Sequence, residues 1–197
     1  MPAKFQFWYD FASPYSFLSA MRIEGLASST GVEIEWRPFL LGPIFKSRGW
    51  DTSPFNIYEA KGRYMWRDIE RLSAKYGIPY RKPSVFPRNG VLASRVALAS
   101  ESHEWRSRFS KLVFTANFAE DRDISDESVI VSILGSLDEE PGSIMRSALS
   151  EENKGRLRRA TEDAIGIGIF GAPSFVADGE IFWGNDRLED ALDWYGR

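Results

Sequence analysis

The stretch Phe7-Trp8-Tyr9-Asp10-Phe11-Ala12-Ser13-Pro14-Tyr15-Ser16 decides the reading of the fold. Its first half belongs to a short aromatic-rich segment, residues 4–10 (KFQFWYD), with the composition of a buried strand. Ser13-Pro14 then puts a hydroxyl at a helix N-cap and proline at the first helical position, and a helical pattern follows over 15–28. Gly31 breaks it, and residues 32–38 (VEIEWRP) alternate as a second strand. The order β-α-β implies parallel strands joined by a right-handed crossover.

Outward from this unit the chain changes character. From about Leu41 to Ser150 no strand pattern occurs. Helical patterns appear at 57–76, 90–100, 105–119, 127–134 and 142–148, separated by loop signals such as Gly49-Trp50-Asp51 and Pro87-Arg88-Asn89-Gly90. An amphipathic helix is predicted over 151–166. Residues 174–177 and 180–183 flank Asp178-Gly179, a hairpin signature, and a last helix is predicted over 186–195. Without the helical block the order is β-α-β-α-β-β-α, the thioredoxin arrangement. The expected fold class is therefore α/β: a thioredoxin-like domain of residues 1–40 and 151–197, interrupted by an inserted all-helical domain over 41–150.

Composition excludes several function classes. The chain has 197 residues, 43% hydrophobic and 27% charged, with a net charge of −3 and its cations dispersed, so nothing favours nucleic acid or an anionic membrane. No apolar run is long enough to span a bilayer, and the start Met1-Pro2-Ala3-Lys4 lacks signal-peptide features, which makes a cytoplasmic protein the expectation. Zero cysteine excludes disulfides, thiolate metal sites, a cysteine nucleophile and disulfide oxidoreductase chemistry. The single histidine, His103, excludes a multi-histidine metal site, and a Ser-His pair would require it to fold back onto Ser13. No metal is expected.

Three motifs are candidates for chemistry. Ser13, at a strand-to-helix junction, is either a plain N-cap or a hydroxyl donor to a thiolate brought by a ligand, where the helix dipole favours negative charge. Gly171-Ala172-Pro173-Ser174 is either an ordinary strand start or a cis-proline turn that leaves backbone groups free for an extended peptide. Trp183-Gly184-Asn185-Asp186-Arg187 reads as simple capping or as a site for an α-amino acid, with donors for a carboxylate and a carboxylate for an ammonium. Lys46, Arg48, Asn56, Arg81, Lys82 and Arg88 fall in irregular parts of the insert. Tyr64, Trp66, Trp105, Phe109 and Phe118 are expected to fill core, and Glu120-Asp121-Arg122-Asp123 to be surface.

Taken in this order, with Tyr76-Gly77-Ile78-Pro79, Phe170 to Phe175 and Phe182 to Leu188, these motifs resemble the 2-hydroxychromene-2-carboxylate isomerase family and the kappa-class glutathione transferases. The resemblance runs nearly end to end. It implies a homodimeric, glutathione-binding protein in which Ser13 hydrogen-bonds the glutathione sulfur. Ala172, before a cis Pro173, would pair with the cysteinyl backbone, and Trp183, Gly184, Asn185 and Asp186 would hold the γ-glutamyl end. The family's substrate-side lysine and asparagine match Lys46 and Asn56; Phe86 stands where the isomerases place a tyrosine, and Ile57 where a cation is expected. The implied reaction opens a cyclic hemiketal carboxylate and isomerises it to trans-o-hydroxybenzylidenepyruvate by reversible thiolate addition. A kappa-type transferase or peroxidase acting on small electrophiles, and a non-catalytic glutathione-binding module, are the alternatives.

Overall fold

The computed structural model describes residues 4–28, 31–137 and 140–196; Met1 to Ala3, read above for signal-peptide features, lie outside them. Strand β1 (Phe5–Tyr9), helix α1 (Pro14–Ser28) and strand β2 (Ile34–Pro38) form the expected opening unit. Among the described residues eight helices separate β2 from the second half of the sheet; the first seven are α2 (Leu41–Ser47), α3 (Pro54–Ile57), α4 (Glu59–Tyr76), α5 (Val91–Ala99), α6 (His103–Phe118), α7 (Glu127–Gly135) and α8 (Pro141–Leu149). Then come α9 (Glu151–Gly166), β3 (Ser174–Ala177), β4 (Glu180–Trp183), a 3₁₀ turn (Asn185–Arg187) and α10 (Leu188–Trp194). This is the thioredoxin-like α/β fold with a helical insertion.

The sheet has the order β2-β1-β3-β4, with β1 and β2 parallel and the remaining pairs antiparallel. Phe7 sits between Trp36 on one side and Phe175 on the other. All three are fully or nearly fully buried on one face of the sheet, whereas Trp8 packs with Phe39, Ile44 and Ile169 on the other, as strand alternation requires. Phe7, Trp36 and Phe175 belong to one continuous buried cluster with Phe109, Phe114, Ile130 and Met145, so the inserted helices share the core of the sheet.

Two local readings change. Helices α2 and α3 carry Lys46 and Asn56, which the sequence reading placed in irregular parts of the insert. The N–H at the start of α2, on Leu41, is taken by the distant Asp10 carboxylate at 2.7 Å, and α3 starts with proline behind a Ser53 cap. Tertiary contacts and capping, not periodicity, create both. The last helix begins at Leu188 rather than 186, because residues 185–187 form the tighter 3₁₀ turn. Among the described residues no helix is long and apolar enough to cross a membrane, and no cluster of three or more His, Asp or Glu side chains could hold a metal.

Candidate active site

The loop between β1 and α1 is tied down from several directions. Asp10, 6% exposed, accepts the N–H groups of Ala12 (2.8 Å) and Leu41 (2.7 Å) on its two carboxylate oxygens, while its carbonyl accepts the N–H of Ser13 (2.9 Å). Burial pushes its carboxyl above the usual range, and the two N–H bonds oppose that shift. The Phe11 carbonyl accepts Asn117 Nδ2 at 3.0 Å, and Asn117 Oδ1 accepts Arg88 Nη1 at 3.1 Å. Arg88, itself buried, is ion-paired with Asp121. Gly90 fits closely here: a Cβ on it would stand 3.0 Å from Phe11 Cβ.

Ser13 emerges from this loop at the N-terminus of α1. Its Oγ accepts the Ser16 N–H (3.1 Å), the N-cap bond, and donates to the Ala172 carbonyl (2.9 Å). The Ala172-Pro173 peptide bond is cis. Beside them opens a cleft of about 1230 Å³ with predominantly apolar walls, including Tyr15, Phe45, Phe55, Phe86, Phe170 and Trp183. Trp183 is half-exposed at its rim, edge-on to Phe170 with ring centroids 4.8 Å apart, and its indole covers Gly171.

Asn185 and Asp186 also line the cleft, and neither caps the following helix. Asn185 is 2% exposed, and its Oδ1 accepts from Ser19 Oγ (3.1 Å) and Arg22 Nη1 (3.3 Å). Its Nδ2 has no partner among the described residues. A buried unpaired donor costs about 1–3 kcal/mol. Asp186 reaches back to Arg187 at 3.1 Å.

A family profile described as a DsbA-like thioredoxin domain matches residues 4–196. A 2-hydroxychromene-2-carboxylate isomerase of Sphingobium xenophagum is 30% identical over 196 residues, which span 99% of this chain and 98% of that one. The chain belongs to the DsbA-like thioredoxin family and, within it, to the family of 2-hydroxychromene-2-carboxylate isomerases. Glutathione S-transferase kappa 1 of Rattus norvegicus is 27% identical over 202 residues, 95% of this chain and 88% of the relative. A solved 2-hydroxychromene-2-carboxylate isomerase superposes with a TM-score of 0.88 at 25% identity, covering 97% of this chain and 95% of that one.

Within this isomerase family fold, Ser13, Ala172, Pro173, Trp183, Gly184, Asn185, Asp186 and Phe86 all border the one cleft. Lys46 and Asn56 do not. Phe45 faces the cleft, and successive helical side chains diverge by about 100°, so Lys46, in the last turn of α2, is turned to solvent while Arg48 lines the cleft. The exposed Asn56 donates its Nδ2 to Thr52 Oγ1 and to the Phe86 carbonyl, both at 3.2 Å, and so braces residues of the wall without lining it. Tyr64, expected in the core, is 63% exposed and borders the cleft. Asp121, expected at the surface, is drawn in by Arg88 and Ser84. His103 lies in a second hollow of about 310 Å³ along β2, which shares no lining residue with the cleft.

The sequence reading missed Asp10, Asn117 and the Tyr15–Asp68 pair, in which the phenol donates to the carboxylate at 3.0 Å. Burial, with the nearby Asp68 charge, raises the Tyr15 phenol's pKa. Asp10 and Tyr15 fall inside the decisive motif and were legible as an acid in an apolar strand end and a phenol in the first helical turn. Asn117 carried no local signal, since its role depends on where α6 packs.

Proposed function

We propose that the protein is a glutathione-dependent isomerase, with Ser13 as the residue that meets the thiol. The observation that carries this reading is the Ser13 hydroxyl at a helix N-terminus, bonded to the carbonyl before a cis proline, in a chain without cysteine. The reactive sulfur must then come with a ligand. The residues fit a γ-glutamyl peptide: Ala172 offers its backbone to the cysteinyl part, Asn185 a free amide donor, and Asp186 a carboxylate for an ammonium.

When bound, glutathione would supply a thiolate able to add reversibly to a conjugated double bond. The protein's part is positional and electrostatic. A hydroxyl has one proton to give, and Ser13 spends it on Ala172. A ligand N–H taking over that carbonyl would release the Ser13 proton to the sulfur, and the dipole of α1 would favour the thiolate. The aromatic walls would stack a conjugated substrate, and Arg48 would face its carboxylate.

A second reading is supported by Phe86. It lacks the phenol that the resemblance implies for the isomerases and packs edge-on against Trp66 at 4.8 Å, which leaves a kappa-type transferase consuming glutathione on an electrophile as the second reading. Titration calorimetry with reduced glutathione tests the shared claim, with saturable binding expected. Turnover with substoichiometric glutathione then favours the isomerase, and one glutathione consumed per product favours the transferase. No binding at millimolar glutathione removes both.

A further inference from the structure

Asn185 presents an amide whose orientation is dictated by one neighbour. Of the two groups bonded to its Oδ1, the Ser19 hydroxyl can donate or accept, so it would tolerate either amide orientation. The Arg22 guanidinium can only donate. Arg22 therefore forces the oxygen toward α1 and the NH₂ to the opposite side. That NH₂ is the buried, unpartnered group of a residue lining the cleft.

Arg22 is well held for such a task. Its guanidinium lies 3.7 Å from the ring centroid of Tyr76, at the end of α4, and is ion-paired with Glu189 of α10. Its side chain is only 12% exposed. It thus joins α1, the inserted helices and the C-terminal turn beside Asn185, a residue lining the cleft.

We infer that Arg22 is a positioning residue that holds the Asn185 amide with its N–H groups toward the ligand, where they donate to the α-carboxylate of a γ-glutamyl group. This rests on the glutathione reading. Without Arg22, the amide can rotate, give its NH₂ to Ser19 and turn a carbonyl oxygen toward the carboxylate, replacing attraction by repulsion.

The test is a set of calorimetric titrations with two thiols: reduced glutathione and γ-aminobutyryl-cysteinylglycine, which lacks only the α-carboxylate. Arg22→Met is expected to weaken glutathione about tenfold and the decarboxylated analogue by less than about twofold. Arg22→Lys, still donor-only, should recover most of the loss. Asn185→Asp keeps the bonds to Ser19 and Arg22 but turns an oxygen to the cleft, and should discriminate against glutathione in the same way even if Arg22→Met folds poorly. Equal weakening of both thiols in Arg22→Met would mean a merely structural role and overturn the inference, as would unchanged affinity for both. If the unaltered protein binds no glutathione, the functional reading falls and this inference with it.

Discussion

Ser13 Oγ donates to the carbonyl oxygen of Ala172 at 2.9 Å, joining residues 159 apart in the chain. Ser13 Oγ also accepts the Ser16 N–H at 3.1 Å. One hydroxyl therefore caps α1 and occupies the carbonyl that precedes the cis proline.

Replacing Ser13 by alanine separates these duties. Loss of the cap should lower stability by about 1 kcal/mol. Turnover should fall about a hundredfold while glutathione affinity changes less than about threefold, because the hydroxyl bonds sulfur most strongly as charge develops. The thiolate absorbance of bound glutathione, followed against pH, should move to higher pH in Ser13→Ala. An unchanged absorbance profile and unchanged turnover would remove Ser13 from the chemistry.

Gly171 makes room for the rim of the cleft. A Cβ there would stand 2.3 Å from Trp183 Nε1, so Gly171→Ala must displace the indole. Gly184 is constrained twice: its φ is 113°, and a Cβ would meet Asp186 Oδ1 at 2.5 Å. Both substitutions should weaken glutathione binding about tenfold or more, at a backbone cost for Gly184→Ala of about 1–3 kcal/mol. Tryptophan emission should shift on Gly171→Ala. Wild-type affinity in both variants would show that the Trp183–Asp186 turn does not hold the ligand.

How much of this was legible in the sequence follows from how local each cause is. Strand β1, the Ser13-Pro14 start of α1 and the Asp178-Gly179 hairpin are set by neighbouring residues, and all three could be read directly. Helix α2 could not, because its first N–H is satisfied by Asp10, far upstream. The same holds for the cleft. Phe45 and Lys46 are adjacent in sequence but face different surroundings once α2 forms, and no loop reading can supply that rotation.

The braced segment behind Ser13 should show its ion pair in acid. The Ser84 N–H, followed by Arg88, holds the Asp121 carboxyl down from 3.8 to about 2. Between those values the folded state keeps Asp121 ionised while the unfolded chain is protonated. The unfolded state binds more protons, so stability rises with pH across this window and is lost as pH falls through it. The raised Asp10 carboxyl contributes the opposite slope, with stability falling as pH rises above its ordinary value. Asp121→Asn should be less stable at neutral pH, because the buried Arg88 loses its counter-charge, and should have a flatter profile over the acid window. Denaturant unfolding at a series of pH values decides this; parallel profiles for the two proteins would place the acid sensitivity elsewhere.

Arg48 and Lys46 make competing claims on an anionic substrate, and their surroundings differ. Both are exposed, but Arg48 lines the cleft with no ion pair among the described residues, whereas Lys46 does not line it. An unpaired guanidinium at the cleft can bond a carboxylate through two parallel N–H groups. Arg48→Met should therefore raise KM about tenfold for a conjugated electrophile carrying a carboxylate, with kcat little changed, because the contact acts equally on ground and transition states. The methyl ester of the same compound should be unaffected. Lys46→Met should leave both compounds at their original KM. The reverse outcome, with Lys46→Met selectively impairing the acid and Arg48→Met silent, would mean that α2 turns on binding to bring Lys46 inward, and would restore the assignment implied by the family resemblance.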